Sequence, residues 1–389
     1  MAADRRLRLM FCYLAGFALA VAAVNRLANP FGAWNRLLET AVSSRDGYNR
    51  LAVPYRVRVE QPATVLVGSS RVVYGMPAGD GVRDEDFLNA GLLGASLEEL
   101  TTIVELATAN PRLRRLVWVI EFYAFSEQFA GFRDQQTRAR LAGEWPRLVT
   151  ETLFSLDALD ASRRELLKAS NPFGGGRARA LPLPWPEAEI AAAADHPDIS
   201  RLADKSPGRI RYELENWVDI YRRYRAAPRH LELFRAAVGR LRARGLDLVL
   251  LVPPLSEYEL ETIRQSGQWP TFLAWKRDLA AVTPYTDFSG YTELARADRY
   301  FIDVCHFVPA LGHALLRYAL GGPDNCRSCG EVARLLAATA APVDEAAIES
   351  HLSHQDSDRI AQTVMESRFA RLVSEIAGRS STTVAMERP

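Results

Sequence analysis

Asp303 and His306 stand three residues apart in Tyr300-Phe301-Ile302-Asp303-Val304-Cys305-His306-Phe307. Far upstream, Ser69 and Ser70 follow Gly68 at the end of an apolar run. An aspartate that accepts the Nδ1 proton of a histidine fixes the tautomer of the ring and leaves Nε2 free as a base. At a spacing of i, i+3 both side chains lie side by side on one helical turn, the local geometry expected here. A serine brought to that base completes a set of nucleophile, base and orienter, whose chemistry is covalent acyl transfer. Each part also has a structural reading. Asp303 and His306 serve equally as a surface pair at a helix end, and Ser69-Ser70 as the N-cap of an ordinary helix.

The elements that would position these groups are legible as buried strands. Ala63-Thr64-Val65-Leu66-Val67 is short, apolar and β-branched and stops at a glycine, as a buried parallel strand does at a tight turn. Ligands of open α/β sheets sit at such carboxyl ends. Further strands are expected at Asp86 to Ala90, Leu116 to Tyr123, Leu246 to Val252 and Tyr285 to Ser289. Helical stretches alternate with them, which predicts the α/β class and a three-layer, doubly wound parallel sheet. Ser96 and Glu99 form a capping-box pattern for the helix after the second strand. Gly94, just before it, would present a free backbone N–H near the strand ends.

Around this unit, residues 61–320, the reading is coarser. Residues 126–240 break the rhythm and read as a helical insertion, interrupted at Gly174-Gly175-Gly176 and Leu181 to Pro186. Its Arg222, Arg223 and Arg225 fit either a solvated helix face or an anion-holding cluster. Residues 29–60 read as a membrane-proximal linker with a short helical pattern around Trp34 to Val42. Residues 321–389 read as a C-terminal extension of amphipathic helices, Val332 to Ala341 and Glu345 to Ile376, with a disordered Ser/Thr-rich tail. His351 and His354 in it read as surface residues. Cys326-Arg327-Ser328-Cys329 is a candidate local disulfide, with thiol redox chemistry as the alternative. A zinc site needs four ligands and no second Cys pair accompanies this one, so neither a metal nor a cofactor is implied.

Arg5, Arg6 and Arg8 precede an uncharged run from Leu9 to Val24. This is the pattern of a membrane anchor over residues 1–28 with its basic flank in the cytoplasm. Ala18-Leu19-Ala20 has the form of a cleavage site, so a signal peptide competes with the anchor. Both place the bulk of the chain outside the cytoplasm. The net charge of +1 over 389 residues supplies no basic field for nucleic acid.

Three of these stretches together resemble the SGNH/GDSL hydrolase superfamily. The closer resemblance is to its membrane-anchored bacterial branch associated with O-acylation of cell-surface polysaccharide. Gly68-Ser69-Ser70-Arg71 resembles the nucleophile block, with Ser69 where the family has aspartate. Asn89-Ala90-Gly91-Leu92-Leu93-Gly94 resembles the second block, and Asp303 to His306 matches the Asp-x-x-His block. The resemblance spans roughly residues 61 to 128 and 245 to 320. It implies Ser70 as nucleophile (Ser69 being the alternative), His306 as base and Asp303 as its orienter. It also implies backbone N–H groups of Ser70 and Gly94 in the oxyanion hole. The third block departs from the family: its asparagine is missing from Ile120-Glu121-Phe122-Tyr123, leaving Tyr123 as a substitute donor or a core aromatic. Losing one such donor costs roughly 100- to 1000-fold in rate.

The expected function is therefore an envelope-facing serine esterase or O-acyltransferase. Its implied partners are a carbohydrate polymer or acylated small molecule and a membrane protein that donates the acyl group. The expected location is the bacterial inner membrane, single-pass, with the catalytic domain in the periplasm. A catalytically impaired carbohydrate-binding or assembly factor in exopolysaccharide biosynthesis is the alternative.

Overall fold

Strand-forming runs and amphipathic helices alternate in the computed structural model, described here for residues 2–34, 49–76, 86–133, 135–143, 145–170, 206–326, 329–361, 373–376 and 378. The helices are α1 (Ala2–Ala28), α2 (Asn49–Glu60), α3 (Ser70–Gly75), α4 (Leu97–Thr108), α5 (Gln135–Ala142), α6 (Trp145–Leu153), α7 (Leu156–Ser170), α8 (Pro207–Arg222), α9 (Pro228–Ala243), α10 (Glu257–Gln265), α11 (Trp269–Val282), α12 (Glu293–Arg296), α13 (Pro309–Asn325), α14 (Glu331–Thr339) and α15 (Ile348–Ala361). The strands are β1 (Thr64–Val67), β2 (Phe87–Asn89), β3 (Arg115–Val119), β4 (Asp247–Val252), β5 (Tyr285–Asp287) and β6 (Ala341–Val343).

The fold is mixed α/β around a six-stranded sheet of order β2-β1-β3-β4-β5-β6. Five strands run parallel, with Val65 opposite Leu88 on one side and Leu116 on the other. Such strands are buried on both faces, which is why β1 and β3 read as apolar runs rather than alternating ones. After β1 the chain moves outward to β2, then crosses back over β1 to β3. The crossing makes the β1/β3 boundary the topological switch point, where ligands bind in open α/β sheets.

One part of the sheet differs from expectation. β6 joins β5 antiparallel, Tyr285 opposite Val343, so the sheet is mostly rather than wholly parallel. Ala341-Pro342-Val343 gives no strand signal because Pro342 lacks an N–H, a residue tolerated at a sheet edge. The C-terminal region is held further by Lys276 of α11 and Asp287 of β5, both fully buried with Nζ and Oδ2 2.7 Å apart. His351 Nε2 of α15 sits 2.8 Å from the same carboxylate, and Gln355 donates to the Ser289 carbonyl at 2.7 Å. His351 is thus an anchor for α15, where the sequence read it as a surface residue.

Helices cover both faces. α4 and α9 pack on one another, and α9 also packs on β4. On the opposite face α13 packs on α3. A side chain at Gly312 would run into the backbone of Gly75, so α3 and α13 approach as closely as two backbones can. The expected capping box is present: Ser96 Oγ accepts the Glu99 N–H and Glu99 accepts that of Ser96, each at 3.1 Å. α1 is long and apolar enough, over Asp4–Ala28, to cross a membrane or to serve as a signal sequence. The expected helix after Trp34, the breaks at Gly174 to Gly176 and Leu181 to Pro186, and the Ser/Thr-rich tail lie outside the described residues.

Candidate active site

β1 leads into the turn that carries Gly68, Ser69 and Ser70. Any side chain on Gly68 would collide with Val72 and Val119, so the strand-to-helix turn closes only around glycine. Ser69 then takes the extended conformation of an N-cap and its Oγ accepts the Arg71 N–H at 3.4 Å. It is 1% exposed, and its hydroxyl donates to the carboxylate of Glu121. Ser70, the first residue of α3, is partly exposed and points the other way: its Oγ lies 2.8 Å from Nε2 of His306. The two hydroxyls thus differ in place, Ser69 as a helix cap and Ser70 against the His306 imidazole.

Asp303 and His306 are not on a helical turn. They occupy a tight loop closed by the Phe301–Phe307 bridge, with Ile302 N–H donating to the His306 carbonyl at 2.7 Å. The i, i+3 spacing still brings them together because the Asp303 carboxylate folds the loop around itself. Its Oδ1 accepts the backbone N–H groups of Cys305 at 2.8 Å and His306 at 2.6 Å, the local bonding by which aspartate builds turns. Its Oδ2 then meets His306 Nδ1 at 2.6 Å. With Nδ1 as the donor, Nε2 is left to accept from Ser70.

Burial pushes the Asp303 carboxyl up, but the His306 charge and these hydrogen bonds outweigh it and hold it below the usual carboxylate range. Burial likewise pushes His306 down, and the charge and hydrogen bond of Asp303 outweigh that and raise it. Tyr74 packs edge-on against the imidazole at 5.2 Å between centroids.

The loop after β2 is bound to the Gly68–Ser70 turn. Leu92 N–H donates to the Gly68 carbonyl at 3.0 Å, and Asn89 Nδ2 donates to the Val72 and Met76 carbonyls at 3.1 and 2.6 Å. Gly94 adopts φ +53°, the left-handed region that suits glycine, and Arg50 donates to its carbonyl at 3.3 Å. No backbone carbonyl among the described residues accepts the N–H of Ser70 or of Gly94. Tyr123 is buried, and its hydroxyl donates to the Ala95 carbonyl at 3.4 Å. That bond places its oxygen beside the Gly94 loop while committing its proton to a carbonyl.

Behind Ser70 lies a charge network that the sequence reading missed. Arg71 is 2% exposed. Its Nε donates to the Cys305 carbonyl at 2.8 Å, and its guanidinium pairs with Glu259 of α10 and, at 3.4 Å, with Glu121 at the end of β3. Glu259 also accepts from the Tyr221 hydroxyl at 2.8 Å. Arg71 therefore ties the Gly68–Ser70 turn to the Asp303–His306 loop. Burial pushes the Glu121 carboxyl up, opposed by Arg71 and by the Ser69 hydroxyl. The available signals were an arginine inside an apolar helix start and a glutamate closing an apolar strand, neither of which names its partner.

Other candidates do not converge on this site. Arg223 pairs with Asp219 of its own helix, and in the stretch Tyr221 to Arg225 it is the two tyrosines, Tyr221 and Tyr224, that are buried. Cys326 and Cys329 are joined as a disulfide. Asp303, Cys305 and His306 offer ligand atoms within 4.8 Å of one another. However, Asp303 and His306 already bond each other, and burial pushes the Cys305 thiol up, away from the thiolate a metal needs. No protein-family model matches the chain, and no curated protein matches it.

Proposed function

We propose that the chain is a serine acyl-transfer enzyme. The observation that carries this is the unbroken set of contacts Ser70 Oγ–His306 Nε2, 2.8 Å, and His306 Nδ1–Asp303 Oδ2, 2.6 Å, at the switch point of the sheet. Ser70 attacks an ester carbonyl as His306 takes its proton. The tetrahedral oxyanion is received by the N–H groups of Ser70 and Gly94. His306 returns the proton to the leaving alkoxide, and an acyl group remains on Ser70. Water or a sugar hydroxyl, deprotonated by His306, then takes the acyl group, which makes the reaction an esterase or an O-acyltransferase one. The resemblance to the SGNH superfamily favours an acylated glycan of the cell surface, and α1 favours an extracytoplasmic site at the inner membrane.

A second reading is a carbohydrate-binding or assembly factor on the same fold. The strand end at Ile120-Glu121-Phe122-Tyr123 favours it, because it carries a buried glutamate and lacks the asparagine donor of the resembled family. Treating the full-length protein with a fluorophosphonate and mapping the adduct by mass spectrometry separates the two. An adduct on Ser70 that vanishes in His306→Ala supports catalysis; a folded protein that takes no adduct supports the binding role.

A further inference from the structure

Outside α1, the large apolar side chains that the described residues leave exposed are not scattered. They are Phe154 (45% exposed), Leu156 (77%), Leu166 (37%), Leu167 (55%) and Tyr212 (63%). All but Tyr212 lie on α7 or on the short turn that joins it to α6. These are the helices that pack on the end of α1. There Val21, Asn25 and Ala28, on one face of α1 at helical spacing, are buried.

Asn25 fixes the junction. Its Nδ2 donates to the Leu153 carbonyl and its Oδ1 accepts from the Ser162 hydroxyl, both at 2.8 Å. Trp34 Nε1 adds a bond to Thr152 at 2.9 Å. At about 1.5 Å per residue, Val21 lies roughly 10 Å along the axis from Ala28. It therefore falls in the last turn of the Leu9–Val24 apolar run, and α6 and α7 reach the level at which that run ends.

We infer that the Phe154–Leu156 turn and the outer face of α7 rest in the lipid surface that α1 enters, at the boundary of headgroups and acyl chains. The inference rests on α1 being a retained membrane span. The occupant follows from continuity: Phe17 (67% exposed) stands one helical turn before the buried Val21 on the same side of α1, and that side leads into the junction where Phe154, Leu156 and Leu167 are exposed. Arg163, on the same face of α7 and paired with Asp160 at 3.1 Å, is 63% exposed and has the long stem that lets an arginine lie at such a boundary. Such contact fixes the attitude of the catalytic domain over the membrane, in addition to tethering it.

The test uses full-length protein in vesicles of phosphatidylethanolamine and phosphatidylglycerol. Bimane is placed singly by F17C, L156C, L167C or G239C in a Cys12→Ser background. Quenching by lipid nitroxide at a shallow acyl position is compared with quenching by aqueous iodide. The expected result is lipid quenching at 156 and 167 at least half that at 17, with position 239 quenched by iodide alone. Positions 156 and 167 behaving like 239 would overturn the inference, as would protection from both quenchers, which means cover by protein. Absence of lipid quenching at 17 as well would remove the anchor on which the inference stands, a failure distinct from that of α7 alone.

Discussion

Replacing Asp303 by asparagine tests the proposed site most directly, because that carboxylate makes two sets of bonds at once. Oδ1 holds the Cys305 and His306 N–H groups and Oδ2 holds the imidazole at 2.6 Å. An asparagine oxygen retains the backbone pair, so the loop persists. Weakening these charge-assisted bonds to neutral ones costs on the order of 2 kcal/mol of stability. The amide NH2 now faces Nδ1, which must become the acceptor. The ring proton moves to Nε2, and Ser70 loses the base that takes its proton. An orienter replaced in this way costs about 10⁴ in rate, roughly 5.5 kcal/mol of barrier.

The measurement is the second-order rate constant for fluorophosphonate addition at Ser70 over roughly pH 5 to 9. In the wild type the rate rises as His306 becomes neutral, through a midpoint above the usual histidine value because the Asp303 charge and hydrogen bond outweigh the lowering by burial. In Asp303→Asn burial and the Arg71 charge, which lower His306, are opposed only by the smaller effect of Glu121, so residual reactivity has its acid limb displaced to lower pH. A folded Asp303→Asn protein that labels within tenfold of the wild type, with the same acid limb, would refute the orienter role.

Two further perturbations separate structure from chemistry. Ser69→Ala should keep labelling at Ser70 within about tenfold while lowering stability by about 2–4 kcal/mol for the lost cap and the lost bond to the buried Glu121 carboxylate, read by urea denaturation; loss of labelling in Ser69→Ala together with its retention in Ser70→Ala would reverse the two roles. Lys276→Met leaves Asp287 buried without its cation, which should cost about 3–5 kcal/mol in the same assay. Burial pushes the Asp287 carboxyl up, and Lys276 and His351 outweigh it and hold it far below its usual range. Its contribution is therefore complete above the unfolded carboxyl value, about 4, and is lost as the pH falls below that. Lys276→Met should flatten this acid loss, and an unchanged urea midpoint between about pH 3 and 6 would count against the pairing.

Much of the scaffold could be read from the chain because its signals are local. A parallel strand is apolar where both its faces are covered, so the runs Val65–Val67, Leu116–Val119 and Leu248–Val252 within β1, β3 and β4 announce themselves. The Ser96–Glu99 box, the turn at Gly68 and the apolar run of α1 depend on neighbours within a few residues. Asp303 and His306 were found for the same reason, although their spacing was ascribed to a helix and the structure uses a carboxylate-centred loop. Tertiary structure decided what depends on distant partners. It set Ser70 rather than Ser69 against a histidine 236 residues away. It gathered Arg71, Glu121, Glu259 and Tyr221 behind Ser70, placed Ala341–Val343 at the sheet edge, and set His351 on a buried Asp287. A charged residue in the sequence looks the same whether it faces water or pays its desolvation by meeting an opposite charge, and only the packed chain shows which.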